Sequence, residues 1–156
     1  MIINTEIEMF AIGYDLSEKA WVSAEPEEGT TEQWLCNMAR QHHIYIGGGY
    51  LQACNEDFLS MFSLASPEGK IVGRIPKNHP GYVEPYIFKG KPSSHIIETE
   101  LGRIGVAVCF DSCFRITTEA LITGDAELLL IPLSGPTPQK RWYYSEKKMQ
   151  EYNDTY

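Results

Sequence analysis

The chain has 156 residues, 43% of them hydrophobic and 22% charged, with 13 Lys and Arg against 21 Asp and Glu. A chain of this length can bury roughly 70% of the surface its unfolded form would expose, so a core forms without a disulfide framework or a structural metal. The formal charge of -8 and the lack of any Lys/Arg run exclude nucleic acid or an anionic membrane surface as the main partner. No apolar stretch approaches the roughly 18 residues of a membrane span, and the opening residues lack the basic head and apolar body of a signal peptide. The expectation is one cytoplasmic domain over residues 1–156.

In chain order, residues 2–10 alternate loosely between apolar and polar and predict a short strand, which Gly13 ends in a turn. Residues 15–29 are acidic and contain proline; they predict an exposed loop with room for a short helix. Thr30 and Gln33 have the spacing of a capping box, and Trp34, Leu35, Met38 and Ala39 follow at helical spacing, predicting a helix over 31–42. Strands are predicted over 44–53, 58–66, 70–75 and 95–100, with Pro67, Glu68 and Gly69 as the hairpin connection between the second and third of these. The triplet Gly47, Gly48 and Gly49 lacks a following Gly-Lys-Ser/Thr, so close packing explains it better than a phosphate loop.

Residues 103–109 are small and β-branched and predict a buried strand that delivers Cys109 at its end. A helix over 117–123 closed by Gly124 and a strand over 126–132 complete the regular part. The segment 135–156 carries Trp142, Tyr143, Tyr144, Met149 and Tyr152 among charges, which predicts a helix with an aromatic packing surface. Hairpins mixed with a strand-helix-strand crossover give an α+β layered domain.

Three segments carry residues capable of chemistry. Glu8-Met-Phe-Ala-Ile-Gly13-Tyr14 places a carboxylate after the first strand, Gly69-Lys-Ile-Val-Gly-Arg-Ile-Pro-Lys77-Asn-His79 leads a hairpin strand into a lysine, and Gly102-Arg-Ile-Gly-Val-Ala-Val-Cys109-Phe-Asp111 brings a thiol out of an apolar strand. Each alone has an ordinary reading: a solvated strand-end carboxylate, a surface lysine, a core cysteine. The four cysteines form no C-x-x-C pair, Cys113 reads as a packing thiol, and zinc on Cys109, Cys113 and a histidine fits no common ligand spacing.

Taken together and in this order, the three segments resemble the nitrilase superfamily of carbon-nitrogen hydrolases, and further likenesses at Glu84, Phe88, Gly90 and the run from Gly124 to Pro132 extend the resemblance along nearly the whole chain. It implies a partial α-β-β-α sandwich, a Glu-Lys-Cys triad of Glu8, Lys77 and Cys109, a role for Glu84 in positioning the substrate or Lys77, a substrate-positioning role for Phe110, and no metal or organic cofactor. The implied substrate is a small linear amide or carbamoyl compound. Phe110 and Asp111 after the cysteine are closer to the amidase and carbamoylase branches than to nitrilases, which favour Trp-Glu there.

The sequence departs from the family pattern in two ways. Ile7 stands where proline precedes the glutamate, and the chain is shorter than most members, so an incomplete sandwich is expected, forming a homodimer only if the fold is complete. A catalytically silent association module is the alternative reading.

Overall fold

The computed structural model describes residues 3–6 and 8–134, which form two facing sheets with a helix outside each. Ile7 and the aromatic segment 135–156 lie outside the described residues. The first sheet has the order β1 (Ile3–Thr5), β2 (Tyr45–Cys54), β3 (Asp57–Ala65) and β4 (Ile71–Pro76), with β1 parallel to β2 and the rest antiparallel. The second has the order β5 (Ile96–Thr99), β6 (Gly102–Val106) and β7 (Leu128–Leu130); β5 pairs antiparallel and β7 parallel to β6.

Alternation along the strands builds the layers. Tyr45, Phe62, Leu64 and Ile75 from the first sheet meet Ile97, Ile104, Val106 and Val108 from the second in the central core. The opposite face of the first sheet offers Ile46 and Ala65 to Leu35 and Ala39 of α2 (Thr30–His42), two of the positions that its periodicity predicts. A short α1 (Lys19–Val22) falls in the segment predicted as a loop with room for a helix. Outside the second sheet, Leu121 of α3 (Arg115–Thr123) lies over Gly105, where an added Cβ would come within 2.6 Å of it. The order of layers is therefore helix, sheet, sheet, helix, the α+β sandwich expected from the sequence.

Several boundaries differ for local reasons. The predicted strand over 2–10 is ladder only at Ile3–Thr5; the chain then turns, with Met9 at φ +51. The predicted strand over 103–109 stops at Val106, since Cys109 has φ +50 and opens a 3₁₀ turn, Cys109–Cys113. The capping box at α2 does not form. Gly29 is the N-cap residue, and the Glu25 carboxylate accepts hydrogen bonds from both Thr31 N and Thr31 Oγ1 at 2.6 Å. An added Cβ at Gly29 would lie 2.8 Å from that carboxylate, so the missing side chain leaves room for a cap from outside the helix. The hairpin at Pro67, Glu68 and Gly69 forms as predicted, with Gly69 at φ +71. Among the described residues no helix is long and apolar enough to cross a membrane.

Candidate active site

Three loops converge at one edge of the central core. The first follows β1 and carries Glu8, whose backbone crosses directly over β2. A Cβ at Gly49 would lie 2.7 Å from Met9 N and 3.0 Å from the Glu8 Cα, one at Gly48 would meet the Phe10 ring, and one at Gly47 the Phe62 ring. The glycine triplet thus lets this turn settle against the sheet, the close packing its sequence suggests. The second loop begins at Lys77, just past β4, and the third begins at Cys109.

Glu8 and Lys77 are fully buried and paired: Lys77 Nζ donates to Glu8 Oε1 at 2.8 Å. Lys77 also reaches Glu84, at 2.9 Å to Oε1 and 2.7 Å to Oε2. Ser60 Oγ donates to Glu8 Oε1 at 3.2 Å. Glu84 further accepts from Gly81 N at 2.6 Å and from the Tyr14 hydroxyl, so both of its oxygens are occupied by protein donors. The second oxygen of Glu8 has no partner among the described residues. Cys109 lies close enough to the Glu8 carboxyl group for each to shift the other's protonation, and the thiol also lies 3.8 Å from Ser134 O.

The protonation of the cluster follows from this geometry. Burial pushes the Glu8 carboxyl above its ordinary range, and the Lys77 ammonium pulls it back only in part. Burial disfavours the charge on Lys77, but its pairing with Glu8 and Glu84 outweighs that and holds the ammonium above its ordinary value. The Cys109 thiol is pushed up to about 11, first by burial and then by the Glu8 charge, with Lys77 acting in the opposite sense. The resting site thus holds a thiol that resists ionisation beside a carboxyl group shifted upward and a charged amine. Cys109 holds its position at a cost, since a non-glycine residue at positive φ is strained by about 1–3 kcal/mol.

Phe110 has two features of use to a substrate. Its backbone N–H donates to no group among the described residues, whereas Cys109 N reaches Pro132 O at 3.0 Å and Asp111 N reaches Val108 O at 3.0 Å. Its ring touches Tyr82 at 5.6 Å between centroids and Phe114 edge-on at 5.2 Å, forming an aromatic border beside the cysteine. All five residues singled out in the sequence, Glu8, Lys77, Glu84, Cys109 and Phe110, lie in this one region.

Sequence reasoning gave no role to Ser60 or Tyr14, nor to Asp111, which is fully buried beneath the loop that follows Lys77. For Asp111 there was a usable signal, a carboxylate at the exit of an apolar strand; Ser60 is brought in only by the fold, from β3, 52 residues along the chain from Glu8. Among the described residues no three His, Cys, Asp or Glu side chains converge to hold a metal.

The sequence matches the carbon-nitrogen hydrolase family over residues 8–152. Curated relatives include the N-carbamoylputrescine amidase of Solanum lycopersicum, 28% identical over 109 residues that make up 66% of this chain and 36% of that protein. Another is the nitrilase of Pyrococcus abyssi, 25% identical over 129 residues, 80% of this chain and 49% of that protein. Among solved structures, Saccharomyces cerevisiae Nit3, a member of branch 10 of the nitrilase superfamily, superposes with a TM-score of 0.75 at 22% identity, covering 86% of this chain and 52% of Nit3. The chain spans between about a third and a half of the length of the curated relatives it matches. With the family match running from Glu8 through all three loops and the two facing sheets shared with Nit3, the chain belongs to the carbon-nitrogen hydrolases.

Proposed function

We propose that the chain forms an incomplete carbon-nitrogen hydrolase domain acting on bonds other than peptide bonds, in a small linear amide or carbamoyl compound, through a thioester on Cys109. The observation that carries this reading is the uneven use of the two oxygens of Glu8. One is held by Lys77 and Ser60, and the other is buried with no partner among the described residues, on a carboxyl group that lies close to the thiol. A buried, unpaired carboxylate oxygen is costly for the fold and is suited to receiving a proton.

In the proposed reaction Cys109 Sγ attacks the carbonyl carbon while its proton passes to Glu8 Oε2. The thiol's high resting pKa means that transfer accompanies attack rather than precedes it. The substrate oxygen, now negative, takes the third Lys77 N–H, since the other two serve Glu8 and Glu84, together with the open N–H of Phe110. A preorganised donor of this kind typically contributes about 2.7–4 kcal/mol. The C–N bond breaks, the amine leaves with the proton from Glu8, water then attacks the thioester as Glu8 takes a proton again, and the C–S bond breaks, releasing the acid and returning the proton from Glu8 to Cys109 Sγ. Glu84, saturated by Lys77, Gly81 and Tyr14, holds the ammonium in place rather than binding substrate. Phe110 next to Asp111, in place of Trp-Glu, supports an amide over a nitrile.

A second reading, an inactive association module, is favoured by the open apolar margin at β7, where Leu129 is 49% and Leu133 54% exposed. The deciding experiment follows ammonia release from a panel of small amides, carbamoyl compounds and nitriles in the wild type and in Cys109→Ala, with mass mapping of any substrate-derived acyl adduct after acid quench. Turnover that is lost in Cys109→Ala, with an adduct on Cys109 alone, is the expected result. A folded protein with no turnover and no adduct on Cys109 would overturn the catalytic reading.

A further inference from the structure

The site straddles the two sheets. Glu8 and Lys77 extend from strands of the first, and Cys109 follows β6 of the second. The core between the sheets is apolar, and such packing attracts without fixing direction, so something directional must set the amine against the thiol. The two residues after Lys77 provide it. Asp111, two residues past the cysteine, accepts from Asn78 N at 3.0 Å, from His79 N at 2.7 Å and from His79 Nδ1 at 2.8 Å.

On the other flank, Val106 O accepts from His95 Nδ1 at 2.9 Å, and Val106 N donates to His95 O at 2.8 Å. A ring nitrogen facing a carbonyl must carry hydrogen, so in the neutral ring His95 Nε2 is the acceptor, and Asn78 Nδ2 donates to it at 2.8 Å. Lys77 itself is tied to the first sheet by Lys77 N donating to Ser60 O at 2.8 Å. Asp111 and His95 are both buried, whereas the His79 ring is part-exposed and stacks on Phe114 at 4.0 Å.

We infer that Asp111, His79, Asn78 and His95 are positioning residues, a clamp that grips the lysine loop from both sides of the nucleophile and holds the Lys77 ammonium at a set place relative to Cys109. The inference rests on the proposed roles of Lys77 and Cys109. Its chemical consequence has a definite sign. Lys77 opposes the upward push on the thiol, so a clamp that slackens lets the ammonium drift and leaves the thiol harder to ionise.

The test uses His79→Phe, which keeps a ring to stack on Phe114 and the backbone bond to Asp111 but removes the ring's bond to it, and Asp111→Asn. The readout is the rate of iodoacetamide alkylation at Cys109 against pH in the full chain, with Cys113 as an internal control. On the rising limb the rate follows the thiolate fraction, so a loss of about threefold to tenfold at fixed pH, with the curve displaced to higher pH, is expected for His79→Phe. Alkylation of the exposed Cys113 stays unchanged. The same substitution is then made in a Lys77→Met background. A clamp that acts through the ammonium has nothing left to position there, so His79→Phe adds no further loss.

A purely structural role would lower the melting temperature and leave the alkylation curve in place, or would give additive losses in the double variant. Either result overturns the inference. If Asp111→Asn does not fold, the His79→Phe cycle decides alone. The wild-type protein separates the two levels: no turnover and no substrate adduct on Cys109 counts against the hydrolase reading, whereas an alkylation curve indifferent to His79→Phe counts against the clamp only.

Discussion

Glu8 does two opposed things to Cys109. Its charge raises the thiol pKa, and its free oxygen is the proposed acceptor for the thiol proton. Glu8→Gln separates them. With the charge gone, Cys109 ionises more readily, and its alkylation curve moves to lower pH. With the base gone, hydrolysis falls by a factor on the order of 10² or more. A stopped-time alkylation series and a turnover assay on the same sample check both halves, and a curve moving upward would contradict the geometry. The residues of this scale were legible because acid, amine and thiol each closed a recognisable segment. Ser60 and the acceptor-saturated state of Glu84 were not, since they arise from strand register and loop closure that local spacing does not encode.

At the scale of elements, α2 is joined to the first sheet by a buried carboxylate as well as by Leu35 and Ala39. Glu32 takes two hydrogen bonds from Arg74, at 2.8 and 2.7 Å, and others from Ser63 at 2.5 Å and Tyr50 at 3.0 Å. Burial raises the Glu32 pKa, but these donors, Arg74 foremost, outweigh it and hold the carboxyl below its ordinary value. Because the folded-state value is depressed, the fold favours the ionised form. This stabilisation is complete above the ordinary carboxylate range and is lost as pH falls through the depressed value.

Urea midpoints measured at neutral and acid pH should therefore drop steeply in the wild type and less in Glu32→Gln. At neutral pH that variant loses about 1–3 kcal/mol, since Arg74 keeps Glu27 at 3.2 Å and part of its solvent contact. Helix and strand existence followed from periodicity, as for residues 31–42, whereas Glu32, on the face of Leu35 and Ala39, finds its partners on other strands, which local spacing does not encode. The capping spacing of Thr30 and Gln33 misled for a related reason: a distant carboxylate, Glu25, had already taken the helix end.

For the whole molecule, the second sheet is the less finished of the two. β7 has β6 on one side and no described strand on the other, and Leu128, Leu129, Ile131 and Leu133 are exposed along it. A cavity of about 260 Å³ between α3 and this margin is lined mainly by apolar side chains, among them Leu121, Ile122, Leu129 and Ile131. Open strand edges with apolar side chains pair with other chains. Leu129→Lys is expected to lower concentration-dependent self-association in sedimentation velocity while leaving Cys109 alkylation unchanged, and unchanged association would show that this margin is not the contact. The layered architecture could be read from the order of strands and helices, whereas the uneven covering of the two sheets could not, because the run at 128–131 is equally apolar whether covered or bare.

The resting thiol gives the molecule one more property. Peroxides attack thiolates, and a sulfur that stays protonated until a carbonyl arrives presents almost none at neutral pH. Under peroxide, the sulfenic acid would form first on the exposed Cys113, sparing the proposed nucleophile through its weak acidity.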